Sequence, residues 1–124
     1  MYTFDSYAWL EYFLAGRKSQ EVKEIIDSKE EISTPAIVLS ELKVRLVKDK
    51  INEKQIGEII EFVILRSKVI NINKEISLFA ADYKIKLNLY LIDALVYASA
   101  LSVNSELLTG DQHLKGLEKV KFLD

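Results

Sequence analysis

Leu91-Ile92-Asp93-Ala94-Leu95-Val96-Tyr97-Ala98 is the stretch on which the reading of this chain turns. Asp93 is the only charged residue between Leu87 and Glu106. A helix over Leu91 to Val103 is apolar nearly all round, a pattern that predicts burial. An ionised carboxylate taken out of water is costly unless it is paired or bound to a metal. Two compatible readings follow. Asp93 caps the helix, with Leu91 and Ile92 still outside it, or it faces a metal site.

Working outward, Glu106 to Thr109 reads as a buried strand, with Gly110 turning the chain after it. Val120 to Leu123 reads as a last edge strand. Upstream, Asn73 caps a helix that ends near Leu87, with Asn88 as its C-cap. Lys68 to Ile72 has the β-branched content of a strand. Asn52 and Gln55 form a capping box that opens a helix to about Ser67. Thr34-Pro35 reads as N-cap and first helical position of a helix running to about Lys50. Glu31 to Ser33 is a short strand, and Ser19 caps a helix to about Lys29. Tyr2 to Phe4 is the first strand. Ser6 to Ala15 follows as a helix that Gly16 ends.

Short apolar strands alternating with helices imply a parallel sheet covered on both faces. The expected fold is therefore α/β, a three-layer α/β/α sandwich with four to five short parallel strands. At 124 residues, one domain spanning 1–124 is expected. The chain has no cysteine, which excludes disulfides, thiolate catalysis and Cys-based zinc sites. Met1 to Phe4 lacks the features of a signal peptide, and Leu89 to Val103 is too short to span a bilayer comfortably. A soluble cytoplasmic protein is expected.

Sites in open parallel sheets gather at the carboxyl ends of the strands, where Asp5 and Asp111 fall. Asp5 can also cap the next helix, and Asp111 can belong to a Gly-Asp turn. Glu41 interrupts the apolar arc of its helix between Ile37 and Val38. Alternatively it pairs with Arg45, one helical turn on. If Asp5, Glu41, Asp93 and Asp111 share one site, their repulsion raises each other's pKa, and a bound cation relieves the strain. Carboxylates without cysteine favour an oxygen-liking ion, Mg²⁺ or Mn²⁺. The chemistry such an ion suits is phosphodiester hydrolysis. The net charge of −2 gives no basic footprint, but without these four acids it becomes −2 + 4 = +2.

Four segments in this order resemble the PIN-domain family, especially its small VapC-type toxins: Tyr2-Thr3-Phe4-Asp5-Ser6, Pro35 to Leu42 around Glu41, the Asp93 helix, and Leu107-Leu108-Thr109-Gly110-Asp111. The resemblance covers nearly the whole chain. It implies a compact α/β metal-dependent endoribonuclease, the toxin of a toxin–antitoxin pair. Asp5, Glu41, Asp93 and Asp111 match the family's acidic cluster, and Ser6 and Thr109 its accessory hydroxyls. RNA as substrate, a small antitoxin partner and a homodimer are likewise implied. The chain departs from the pattern at Tyr7, where a small polar residue is common. It departs again at His113, where many members carry an acid, and at Leu114, where an aromatic is common. His113 reads as a surface histidine, with a ligand role as the alternative.

Lys43, Arg45, Lys48, Lys50 and Lys54 face Asp49 and Glu53, a local charge of +3. They form either an RNA-guiding strip or a solvated helix face. Trp9, Tyr12 and Phe13 read as core, with part of the stripe available to a partner. The departure at His113 supports a competing expectation, a catalytically weak PIN-like binding or regulatory module. A phospho-acceptor role for Asp5 ranks last, because Tyr7 stands where such enzymes need a second acid.

Overall fold

The computed structural model describes residues 1–124. Five strands form one parallel sheet: β1 (Tyr2–Phe4), β2 (Ile32–Pro35), β3 (Lys68–Ile70), β4 (Glu106–Thr109) and β5 (Val120–Phe122). Their order is β3-β2-β1-β4-β5, so β1 is central and the direction of winding reverses between β1 and β4. Register is set by Thr3 opposite Ser33 on one side and Thr3 opposite Leu107 on the other. Six helices complete the fold: α1 (Ser6–Phe13), α2 (Ser19–Asp27), α3 (Ala36–Lys48), α4 (Glu53–Arg66), α5 (Lys74–Leu87) and α6 (Leu91–Ser102). By the right-handed rule for parallel crossovers, the strand order puts α1 to α4 over one face of the sheet and α5 and α6 over the other. This is the α/β/α sandwich expected from the alternation of elements. None of the helices is by itself long and apolar enough to cross a membrane.

The central strands are buried on both faces, with Phe4, Leu107 and Leu108 in the core. Most polar core side chains are paired. Thr3 and Ser105 share a hydroxyl–hydroxyl hydrogen bond, and Trp9 Nε1 donates to Thr34 Oγ1 at 3.1 Å. No buried side-chain nitrogen or oxygen lacks a partner, as the cost of an unpaired polar atom in a core requires. Trp9 is core, as expected, whereas Tyr12 and Phe13 are half-buried. With Phe62 of α4 these three rings form an aromatic cluster that ties α1 to α4.

Several local expectations are corrected. Thr34 does not cap α3. Thr34 and Pro35 extend β2, opposite Val69 and Ile70, and the helix begins at Ala36. The Thr34 hydroxyl is taken by Trp9 and by Ser67. Pro35 is tolerated because β1 no longer pairs with β2 there, so its missing N–H breaks no ladder bond. Helix α1 ends at Phe13, and the left-handed residue after it is Ala15, not Gly16. Ser19 is the first helical residue of α2 and makes no cap, and β3 stops at Ile70. The Asn52 and Asn73 caps and the left-handed Asn88 C-cap are as read from the sequence.

Candidate active site

The cleft is built where the sheet changes its winding direction, at the carboxyl ends of β1 and β4. Asp5 leaves β1 and opens α1, doing two jobs with its two oxygens. Oδ1 accepts the Ala8 N–H at 2.9 Å, which caps the helix, and Oδ2 accepts the Thr109 hydroxyl. Asp5 is only 6% exposed. Burial, opposed by these two hydrogen bonds and reinforced by Glu41 and Asp111, pushes its pKa up from 3.8 to about 7. The capping reading is realised, and the same carboxylate also lines the cleft.

Asp93 does not cap α6. Tyr90 holds that position, and Asp93 lies within the first turn. Burial, the charge of Asp111 and a carboxyl–carboxyl contact with Asp111 raise its pKa to about 6, against the lowering influence of His113. Glu41 is half-buried on α3. Its pKa is raised by burial, with Asp93 and Asp111 adding to the shift and a hydrogen bond from Ser6 opposing it. The Arg45 alternative is not realised, since Arg45 Nε pairs instead with Asp49 at 3.0 Å. Asp111 follows β4, and its Oδ1 accepts both the backbone N–H of His113 and a contact from His113 Nδ1, each at 2.9 Å.

Asp5, Ser6, Glu41, Asp93 and Asp111 therefore line one cleft of about 420 Å³, floored by Leu10, Val96 and Leu114. Thr109 lies behind it. Its hydroxyl donates to Asp5 and accepts the Asp111 N–H at 2.9 Å, fixing the two acids relative to each other. Thr109→Val keeps the shape but orphans the Asp111 N–H and removes the donor to Asp5. It is expected to lower stability by about 1–3 kcal/mol in urea unfolding and to raise the Asp5 pKa further, while Thr109→Ser restores both. Equal stability of the Val variant and the parent would contradict this role.

Arg45 is the only member of the five-residue basic strip that lines the cleft. Its neighbours Lys48, Lys50 and Lys54 are exposed, and Lys43 faces a different groove, between α3 and α4. The ring arrangement at the cleft mouth is not legible in the sequence. The Tyr7 ring occupies the space a side chain at Gly110 would need, with a Cβ there falling 2.1 Å from Tyr7 Cε1. The His113 ring meets Tyr90 edge to face, with centroids 5.0 Å apart. The bare Gly110 was the one available signal, since it permits the close approach of Tyr7.

The cleft's donors are mainly carboxylate oxygens that repel one another, a chemistry that fits a divalent cation. The donor atoms within 4.8 Å of one another are those of Asp93, Asp111 and His113, while Asp5 and Glu41 line the same cleft outside that group. An open parallel sheet with four carboxylates converging at its winding reversal defines a class of acidic-cleft α/β proteins. Within that class, the chain belongs to the PIN-domain family, whose model, described as PIN domain, matches residues 2–120. No curated protein matches the chain. Among solved structures it is similar to a toxin–antitoxin complex from Klebsiella pneumoniae, with TM-score 0.81, 20% identity, and 98% of this chain and 96% of that chain covered. It is also similar to VapC20 of Mycobacterium tuberculosis, described as a Sarcin-Ricin loop cleaving toxin, with TM-score 0.74, 16% identity, and coverage of 98% and 99%. A third is VapBC2 of Rickettsia felis bound to a DNA fragment from its promoter, with TM-score 0.76, 16% identity, and coverage of 98% and 96%. At these identities the structural likeness speaks to fold.

Proposed function

We propose that this protein is a metal-dependent endoribonuclease, the toxin component of a toxin–antitoxin pair. The observation that carries the reading is the convergence of Asp5, Glu41, Asp93 and Asp111 in one cleft, with three of them held above their ordinary pKa. Membership of the PIN-domain family and the toxins among its structural neighbours support it. In this reading the four acids hold Mg²⁺ or Mn²⁺. When bound, the ion lowers the pKa of an attacking water and stabilises charge on the phosphate. Thr109 positions Asp5, Ser6 positions Glu41, and Arg45 at the cleft edge attracts the RNA backbone.

An antitoxin partner and homodimerisation form part of the proposal. Two exposed apolar faces support a chain that works in contact with others. One is the groove between α3 and α4 around Val47, Ile60, Ile64 and Leu65. The other is the outer side of α5 at Leu78, Phe79 and Ile85.

The test is to incubate the purified chain with structured RNA in Mg²⁺, in Mn²⁺ and in EDTA, with Glu41→Gln alongside. Cleavage that needs a divalent ion and fails in Glu41→Gln is expected. RNA left intact in every condition, or cut equally well in EDTA, would overturn the proposal. Intact RNA together with measurable ion binding would favour the competing reading, a catalytically weak module, which the non-acidic His113 supports.

A further inference from the structure

Beside its carboxylates the cleft holds one imidazole. We propose that His113 is a nitrogen ligand of the same cation, joining Asp93 and Asp111 in a mixed oxygen–nitrogen set that favours Mn²⁺ over Mg²⁺. The inference rests on reading the cleft as a divalent-metal site and adds a ligand to it.

Three features of the geometry carry it. One donor atom from each of Asp93, Asp111 and His113 can be chosen so that all lie within 4.8 Å of one another, the spread a single ion spans. His113 Nδ1 lies 2.9 Å from Asp111 Oδ1. Two ligands at right angles on an ion, each about 2.1 Å from it, are about 3.0 Å apart. The pair thus already stands at the spacing of neighbouring ligands, and a cation can take the place of the proton between them. Asp111 Oδ1 keeps a donor when this happens, because the His113 backbone N–H also reaches it at 2.9 Å.

The ring is also held for this purpose. Tyr90 packs edge to face on it, at 84° between planes. Tyr90 is the N-cap of α6, so the ring packed on His113 and the carboxylate of Asp93 belong to the same segment of chain. The side chain is 58% exposed and has no place in the core, so burial does not explain its position. Mg²⁺ is the harder ion and prefers an all-oxygen shell, whereas Mn²⁺, though also at home among carboxylates, accepts an imidazole nitrogen more readily. One nitrogen among carboxylates therefore tilts the site toward Mn²⁺.

His113 is the only histidine in the chain, so an imidazole signal can come from no other residue. The untagged protein is titrated with Mn²⁺, and the bound ion is examined by pulsed electron paramagnetic resonance. Nitrogen coupling to bound Mn²⁺ is expected in the parent and should vanish in His113→Ala. Mn²⁺ affinity should fall at least about tenfold in that variant. Mg²⁺ affinity, measured by competition, should change by less than about threefold. Bound Mn²⁺ without nitrogen coupling, or coupling that survives His113→Ala, would overturn the assignment and leave His113 as a group that only orients Asp111. A parent chain that binds no Mn²⁺ would overturn the metal-site reading and this ligand with it. Circular dichroism of His113→Ala checks that the fold is retained.

Discussion

Asp93→Asn is expected to reduce divalent-dependent RNA cleavage at least about a hundredfold, the scale seen when one electrostatic contact at a reacting centre is removed. The same change should stabilise the metal-free protein. Asp93 is ionised at neutral pH against the pressure of burial and of Asp111, which is why its pKa sits near 6. An amide keeps the shape and removes the repulsion. The residue is partly solvated, so screening reduces the gain to about 1 kcal/mol, or roughly 4 °C in melting temperature. Single-turnover cleavage and thermal unfolding in EDTA at pH 8 read the two effects. A variant that melts higher and still cuts RNA at the parental rate would show that Asp93 strains the fold without serving the reaction.

The second large effect is a pH dependence whose sign depends on the ion. The Asp5 pKa is raised from 3.8 to about 7 in the folded chain. Between those values the native state holds a proton that the unfolded chain has released, so stability falls as pH rises. The stabilisation is complete below 3.8 and gone above 7. Between pH 5 and 8 Asp5 alone accounts for a loss on the order of 3 kcal/mol. Asp93 and Glu41, both shifted the same way, add to it. In EDTA the melting temperature should therefore drop by about 10 °C across this range. Saturating Mn²⁺ should flatten or reverse the slope, because the cation binds the ionised cluster. A flat profile in EDTA would mean that burial, with the repulsion that adds to it, does not hold these acids above their ordinary pKa.

Two of the acids were legible because they break a local rule, Asp93 in an apolar helix and Glu41 in an apolar arc. Asp5 and Asp111 were legible by their place at the carboxyl ends of strands. What the sequence could not resolve was competition between partners equally near along the chain. Arg45 has an acid four residues away on either side, Glu41 and Asp49, and only the tertiary structure shows that it takes Asp49. Thr34-Pro35 carries the local signature of a helix start, but pairing with β3 extends the strand through both residues. The same limit hid the contact of His113 with Asp111. Nothing in Asp111-Gln112-His113 reveals that the intervening tight turn folds the ring back onto the acid.

The four acids do not ride on equivalent supports. Asp5 and Asp111 emerge from adjacent strands, whose separation the main-chain ladder fixes at about 4.8 Å. Glu41 and Asp93 come from α3 and α6, helices of the two connections that cross opposite faces of the sheet. One half of the cluster is thus a rigid gauge and the other a pair of jaws. A captured ion would draw the jaws against the gauge and add a polar tie between α3 and α6, which already touch. Loading should then slow amide hydrogen exchange in the middle of α3 and in the first turns of α6 together, although no residue of one helix is near the other in sequence.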